Sequence, residues 1–145
     1  MMASAARLYT TEVLALATGL AGHPFDPAMP HLGQARSATC GSTLELSLAT
    51  DEQGRITALG VRAQACAIGQ ASAALFAAAA PGHSRDEIAA ALADLTRWLR
   101  DGGDLPDWPA LAAIAPARDH PARHGAILLA WKAASDALSR AEIPG

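Results

Sequence analysis

The sequence is poor in cysteine, in aromatic residues and in charge. Only two of its 145 residues are Cys, 4% are aromatic and 17% are charged, with a net charge of -3. Two cysteines cannot form the disulfide framework of a small secreted domain, so such a thiol pair is more often reactive, metal-binding or buried. The low net charge also argues against a chain kept disordered by self-repulsion.

Basic clusters and long apolar runs are missing as well. Without a Lys/Arg cluster the chain lacks the concentrated positive charge that phosphate binding requires, which argues against nucleic acid as its main ligand. No apolar run reaches the roughly 18 residues of a membrane span. The first 22 residues faintly resemble a signal peptide, but Glu12 borders their apolar stretch and the apolar residues recur at helical spacing. We therefore expect a cytoplasmic protein that uses neither nucleic acid nor a membrane.

Alanine is abundant instead. Of the 145 residues 37 are Ala, whereas Val and Ile together number eight. Because Ala and Leu favour helix and β-branched residues favour strands, this composition excludes an all-β protein. The length predicts one domain over residues 1–145, since a domain usually has about 100–200 residues.

Hydrophobic periodicity predicts a small sheet between helices. An opening helix is expected at about residues 4–20, strands at 32–38, 43–50 and 56–61, and helices at 67–80, 84–102 and 122–141, with a short helical stretch around Leu111. Ser84 and Glu87 have the spacing of a capping box. The predicted fold class is α+β, a small antiparallel three-stranded sheet packed against several helices in two layers.

The two cysteines flank the predicted hairpin. Cys40 precedes its first strand and Cys66 follows its second. Because a hairpin brings its outer ends together, we expect the two thiols at one edge of the sheet, where two thiolates can share a soft metal ion or a cluster. The alternative is that both are buried as small hydrophobic residues, which is common for cysteine.

The order of these features resembles the U-type iron–sulfur cluster assembly scaffolds, namely IscU, the NifU N-terminal domain and SufU. The shared features are an opening helix with a Tyr, a Cys-Gly step before a hairpin, and a second Cys entering a Ser/Ala-rich helix. Ala65–Ile68 and the segments 70–73, 121–123 and 129–133 are most similar to the SufU branch. The resemblance implies a SufE/NifU-like two-layer sandwich without enzymatic activity. It also implies two kinds of partner, a cysteine desulfurase and apo iron–sulfur proteins.

The metal-binding residues of that family are only partly present. Family members hold metal with three cysteines and an Asp that follows the first Cys-Gly. Here the Asp position is Ser42, and the third Cys position falls on Ala126, or on Gly125 if the register slips by one. The resemblance therefore implies a degenerate site of Cys40 and Cys66. His124, two positions from the missing cysteine, is a candidate third metal ligand, and the alternative is that it faces solvent or caps the last helix.

Three functions are compatible with this sequence. In the first, a scaffold-like protein binds zinc, iron or an iron–sulfur cluster, or accepts sulfur, through Cys40 and Cys66. A homodimer would then provide four thiolates, enough for a [2Fe–2S] centre. In the second, the chain is a divergent zinc-binding or metal-free interaction module without scaffold activity. In the third, the two thiols form a reversible redox disulfide.

Overall fold

Within residues 8–38 and 41–141, a three-stranded antiparallel sheet packs with α-helices. The computed structural model describes residues 8–38 and 41–141, so Cys40 lies outside the described residues. The strands are β1 (His31–Arg36), β2 (Thr43–Thr50) and β3 (Ile56–Gln64), in the order β1-β2-β3. The helices are α1 (Thr11–Gly19), α2 (Ala67–Ala79), α3 (Arg85–Asp101) and α4 (Pro121–Ala141), with 3₁₀ segments at Leu20–Gly22 and Leu111–Asp119. This architecture confirms the predicted α+β class.

The hairpin of β2 and β3 forms where the alternation of apolar and polar residues predicts it. Leu44, Leu46 and Leu48 are at most 1% exposed, because alternate residues of a strand share one face. β3 continues three residues beyond its predicted end, to Gln64, which pairs with Thr43. The end of β3 therefore leads directly into α2.

Close packing of α4 on the sheet explains much of the alanine content. α4 packs against β1 and β2, and its Ala133 and Ala137 are completely buried. A Cβ added to Gly33 of β1 would collide with the Ala133 carbonyl and lie 2.7 Å from the Ala137 amide nitrogen. Glycine is thus required where the strand touches the helix backbone.

Tyr9 and Thr10 interrupt the opening helix predicted over residues 4–20: Leu8 is helical before them, and α1 follows them. Thr10 is its N-cap, with Oγ1 accepting the Val13 amide at 3.1 Å, so α1 starts at Thr11. Residues 4–7 of the predicted helix lie outside the described residues. Val13 is buried and α1 packs against α2. No helix in the ranges 8–38 and 41–141 combines the length and the hydropathy needed to cross a membrane.

Three aromatic rings fill the core where α2 and α4 meet. Phe76 stacks on Trp108 with ring centroids 5.5 Å apart, and Trp131 packs edge-on against both, at 5.1 and 5.3 Å. The Trp108 Nε1 donates to the Leu75 carbonyl at 3.1 Å, which satisfies that buried indole. Burial of these large rings beside the many alanines of the core removes apolar area from water that short side chains could not supply.

The capping box at the start of α3 is confirmed. Ser84 Oγ accepts the Glu87 amide at 3.2 Å, and Glu87 Oε1 accepts the Ser84 amide at 2.9 Å. The same carboxylate forms an ion pair with Arg55 at 2.8 Å. The Ser84 amide and then the Arg55 guanidinium hold the pKa of Glu87 below its usual value.

Candidate functional site

Cys66 lies at the junction between β3 and α2. It is the N-cap residue of α2, with extended backbone angles (φ -66°, ψ 170°), and its side chain does not cap the helix. The residue is partly exposed, and it packs against the edge of the hydrophobic core. Gln70 Nε2 donates to the Ala65 carbonyl at 2.9 Å and fixes the turn before it. The thiol is therefore held on a rigid element and remains accessible to a partner.

The loop between β1 and β2 approaches the same edge of the sheet. The Ser37 amide donates to the Ser42 carbonyl at 2.8 Å, and the Gly41 amide donates to the Ser37 carbonyl at 3.0 Å. Thr43 pairs with Gln64, so the loop that enters β2 and the segment that leaves β3 towards Cys66 lie at the same end of the sheet. Gly41 has φ +71°, a conformation that favours glycine.

Cys40 is joined to Gly41 but lies outside the described residues. Its pairing with Cys66 therefore stays a prediction. The described residues show that the chain after Cys40 enters the sheet at the end from which the chain leaves towards Cys66.

Ser42 occupies the position where the family resemblance implies an Asp. The residue is 7% exposed, and its backbone carbonyl helps to close the loop at Ser37. A neutral hydroxyl is a weak ligand for a cation compared with a carboxylate. This position therefore adds little to the affinity of the site for metal.

Ala126 of α4 faces the first turn of α2. It is 1% exposed, and a Cβ added to Gly69 would lie 3.1 Å from the Ala126 Cβ. Gly69 follows Cys66 by three residues, so Ala126 lies beside the helix that Cys66 begins. Gly125 is turned by about 100° from Ala126 on an α-helix. Ala126, rather than Gly125, thus faces the helix that follows Cys66, while the position of the third family cysteine stays a prediction.

His124 lies on a different side of α4. Its Nε2 donates to the Arg118 carbonyl at 2.6 Å, and its side chain lines a groove with Leu99 and Leu128. Two helical positions correspond to a rotation of about 200°, so His124 points away when Ala126 faces Gly69. Within residues 8–38 and 41–141 no three His, Cys, Asp or Glu side chains come together as a metal site. The ligand role of His124 stays a prediction, and in the structure its Nε2 has a backbone partner.

Arg123 of α4 makes a long-range contact that the sequence did not predict. Its Nη2 donates to the Tyr9 hydroxyl at 3.0 Å, and its Nε is buried without an acceptor among the described residues. Arg123 precedes Ala126 by three positions, so the two share one face of α4. The contact joins α4 to the segment just before α1. The two residues are 114 positions apart, so no local sequence pattern could predict their contact.

Comparison with known proteins identifies the fold. No family model matches the chain, and no curated protein matches it. Among solved structures, the N-terminal part of a nitrogen-fixing NifU-like protein from Brucella abortus matches with a TM-score of 0.86 and 27% identity, covering 97% of this chain and 98% of that chain.

Two more distant structures share the fold. A protein from Fervidobacterium islandicum described as an iron–sulfur cluster assembly scaffold for the SUF system matches with a TM-score of 0.74 and 19% identity, over 90% of this chain and 96% of that chain. A hypothetical protein matches with a TM-score of 0.66 and 22% identity, over 88% of this chain and 97% of that chain.

A three-stranded sheet covered by helices is the fold of the U-type scaffold class of proteins. Within that class, the resemblance of this chain to the IscU, NifU N-terminal and SufU family is confirmed. The narrower assignment to the SufU branch stays a prediction, because the NifU-like structure has both the higher identity and the higher TM-score of these two neighbours.

Proposed function

We propose that this chain is a scaffold-like protein of iron–sulfur cluster assembly, a single non-enzymatic domain of the cytoplasm that binds metal or a cluster, or accepts sulfur, through Cys40 and Cys66. One observation carries the proposal. Cys66 is a partly exposed thiol at the start of a rigid helix, at the sheet edge that the Cys40 loop enters. The similarity to a NifU-like structure over 97% of the chain supports it.

Sulfur acceptance needs only a reachable thiolate. The Cys66 sulfur attacks the outer sulfur of a persulfide on a cysteine desulfurase, and a new S–S bond forms on Cys66. The original S–S bond breaks, and the desulfurase cysteine leaves as a thiolate. Both electron pairs stay within the two proteins, so no further oxidant or reductant is required. A desulfurase is thus the first partner that this chemistry implies, and apo iron–sulfur proteins that receive the product are the second.

Metal or cluster binding needs more ligands than one chain offers. Cys40 and Cys66 supply two thiolates, whereas Ala126 supplies none and Ser42 only a hydroxyl. Two copies of the chain would supply four thiolates, the number that a [2Fe–2S] cluster requires. His124 would add a nitrogen only through Nδ1, or by giving up the contact of its Nε2 with Arg118.

A second function is favoured by the altered positions themselves. A buried methyl group at Ala126 and a hydroxyl at Ser42 are what a domain would retain if it had stopped building clusters. Such a domain would bind zinc, or no metal, and act as an interaction module. The two functions differ in whether sulfur reaches Cys66.

Sulfur transfer tests the proposal most simply. The full chain is incubated with a cysteine desulfurase and L-cysteine, and intact-protein mass spectrometry counts the sulfur atoms added. We expect one or more added sulfur atoms on the wild type and a loss of the Cys66 persulfide in Cys66→Ser, with Cys40→Ser as the matched variant. Stoichiometric zinc without any added sulfur would instead support the interaction module. A wild-type chain that acquires no sulfur and binds no metal would overturn the scaffold proposal.

A further inference from the structure

Helices α2 and α4 lie side by side and run in the same direction. Gly69 of α2 lies beside Ala126 of α4, since a Cβ added to this glycine would be 3.1 Å from the Ala126 Cβ. Later on both helices, Ser72 Oγ donates to the Ile127 carbonyl at 2.8 Å. The edge-on contact between the aromatic rings of the two helices lies further along both chains. The N-terminal ends of α2 and α4 are therefore at the same end of the helix pair.

Cys66 and Arg123 lie at this shared end. Cys66 precedes Gly69 by three residues and Arg123 precedes Ala126 by three, and three residues are close to one helical turn. Long side chains on an α-helix lean towards its N-terminus, so the Arg123 side chain extends towards the end at which α2 begins. The axes of packed helices are about 8–10 Å apart, a distance that an arginine side chain can span.

The positive charge of Arg123 has no acidic partner in the part of the chain that the structure describes. Its side chain donates one hydrogen bond there, from Nη2 to the Tyr9 hydroxyl at 3.0 Å, and forms no ion pair. Asp119, just before α4, is exposed and lies 4.0 Å from Arg118 instead. Arg123 is only partly buried, so its charge acts on ions that approach from solvent. The phenol thus holds the guanidinium without cancelling its charge.

The two helix ends increase the positive potential at the same place. α2 has 13 residues and α4 has 21, and neither has an acidic residue in its first turn. The unpaired N–H groups of a first turn give the N-terminus of a helix a partial positive charge. Two such ends and one guanidinium therefore favour an anion beside the Cys66 thiol over a neutral molecule of the same size.

We propose that Arg123 recognises anions at Cys66 and holds the negative charge of the sulfur that is delivered there. This inference rests on the proposed function, because sulfur transfer leaves Cys66 with a second, terminal sulfur. When the proton of that sulfur passes to solvent, the persulfide becomes an anion, and the electron pair of the broken S–H bond stays on the sulfur. The substrates of this site are accordingly sulfur donors that react as anions.

A pair of alkylating reagents measures this selectivity without a desulfurase. Iodoacetate is anionic and iodoacetamide is neutral, and both alkylate the same thiolate with loss of iodide, so the ratio of their rates does not depend on the thiolate fraction. Cys40→Ser leaves Cys66 as the single thiol, and mass spectrometry follows each reaction. At low salt we expect the iodoacetate to iodoacetamide ratio to be about threefold higher than for N-acetylcysteinamide, as for a unit charge several Å away in water. Sodium chloride at about 1 M should abolish this preference.

Substitutions in the same Cys40→Ser chain assign the effect to Arg123. Arg123→Gln should lower the ratio to the reference value, whereas Arg123→Lys should retain most of the preference because it keeps the charge. Arg123→Met keeps the apolar stem and provides a second uncharged variant if the glutamine variant does not fold. Arg140→Gln removes an arginine at the far end of α4 and should leave the ratio unchanged. Equal ratios in the Arg123 and Arg140 variants, or a wild-type ratio that does not respond to salt, would overturn the inference.

This experiment and the sulfur-transfer test fail independently. An Arg123-dependent ratio in a chain that accepts no sulfur from a desulfurase would support anion recognition at Cys66 and contradict the proposed function. Sulfur transfer to Cys66 with a ratio that Arg123→Gln leaves unaltered would support the proposed function and overturn the role of Arg123.

Discussion

Ala126 and Gly69 face each other so closely that a Cβ added to Gly69 would lie 3.1 Å from the Ala126 Cβ. Gly69 is in the first turn of the helix that begins after Cys66. The methyl group of Ala126 therefore occupies the position at which the family resemblance implies a third cysteine. The resemblance implies a ligand at this position, where this chain has a methyl group that cannot bind metal.

Replacing Ala126 by cysteine should restore a ligand. The free energy of zinc binding to a structural site, about 10–16 kcal/mol, is shared by four ligands, so one more thiolate should raise zinc affinity about a hundredfold or more. Competition with a chromogenic chelator measures the change. Ala130→Cys is the matched control, because Ala130 is equally buried and lies one helical turn further from the site. Equal zinc affinity in the two variants would contradict the position assigned to Ala126.

Gly33→Ala should destabilise the protein. The added methyl would collide with the Ala133 carbonyl of α4, so helix and strand must separate, at a cost of about 1–3 kcal/mol or more. Urea denaturation measures the loss. Gly19→Ala is the control, since a Cβ there meets nothing within 4 Å, and it should leave the stability unchanged or slightly higher. A Gly33 variant as stable as the wild type would show that α4 does not need this close contact.

Phe76→Ala should be among the most destabilising single substitutions. Phe76 is completely buried and contacts both Trp108 and Trp131, so its removal should cost about 3–5 kcal/mol. Leu105, which is 38% exposed, provides the comparison, and Leu105→Ala should change the stability by less than about 0.5 kcal/mol. Thermal unfolding followed by circular dichroism would distinguish the two, and similar losses would contradict the importance of the aromatic cluster.

Acid should weaken the protein partly through Glu87. Its pKa is lowered in the folded state by the Ser84 amide and by Arg55, so its contribution is present above the unfolded pKa of a Glu and is lost as pH falls through the lowered folded pKa. The stability difference between the wild type and Glu87→Gln should therefore shrink as pH falls from neutral into that acid range. Urea midpoints measured across the range test it. A difference independent of pH would contradict the capping-box origin of the shift.

Sequence periodicity predicted the sheet and most helices because these elements have one buried face. The alternating residues of β2 and the spacing of Ser84 and Glu87 are local signals, and both features appear as expected. The break at Tyr9 and Thr10 was not predicted, because apolar spacing continues across the Thr10 cap and does not show where a helix is interrupted. The start of α1 at Thr11 depends on one side-chain hydrogen bond, from the Val13 amide to the Thr10 hydroxyl.

The candidate site depended more on tertiary structure. The approach of Ala126 to the first turn of α2 joins residues far apart in the chain, and so does the contact of Arg123 with Tyr9. The proximity of His124 to the missing cysteine in sequence suggested a shared site, but helical rotation turns the two positions apart. Composition and spacing thus predict candidate residues, whereas packing determines which of them lie together.

We propose that Cys40 and Cys66 act jointly on metal or cluster cargo. The decisive measurement is the iron and sulfide content after anaerobic reconstitution of the wild type, Cys40→Ser and Cys66→Ser, with zinc content measured in the proteins as purified. We expect bound metal in the wild type and a fall to background in each single variant, with folding unchanged. Metal retained in both variants, or background values in all three proteins, would contradict it.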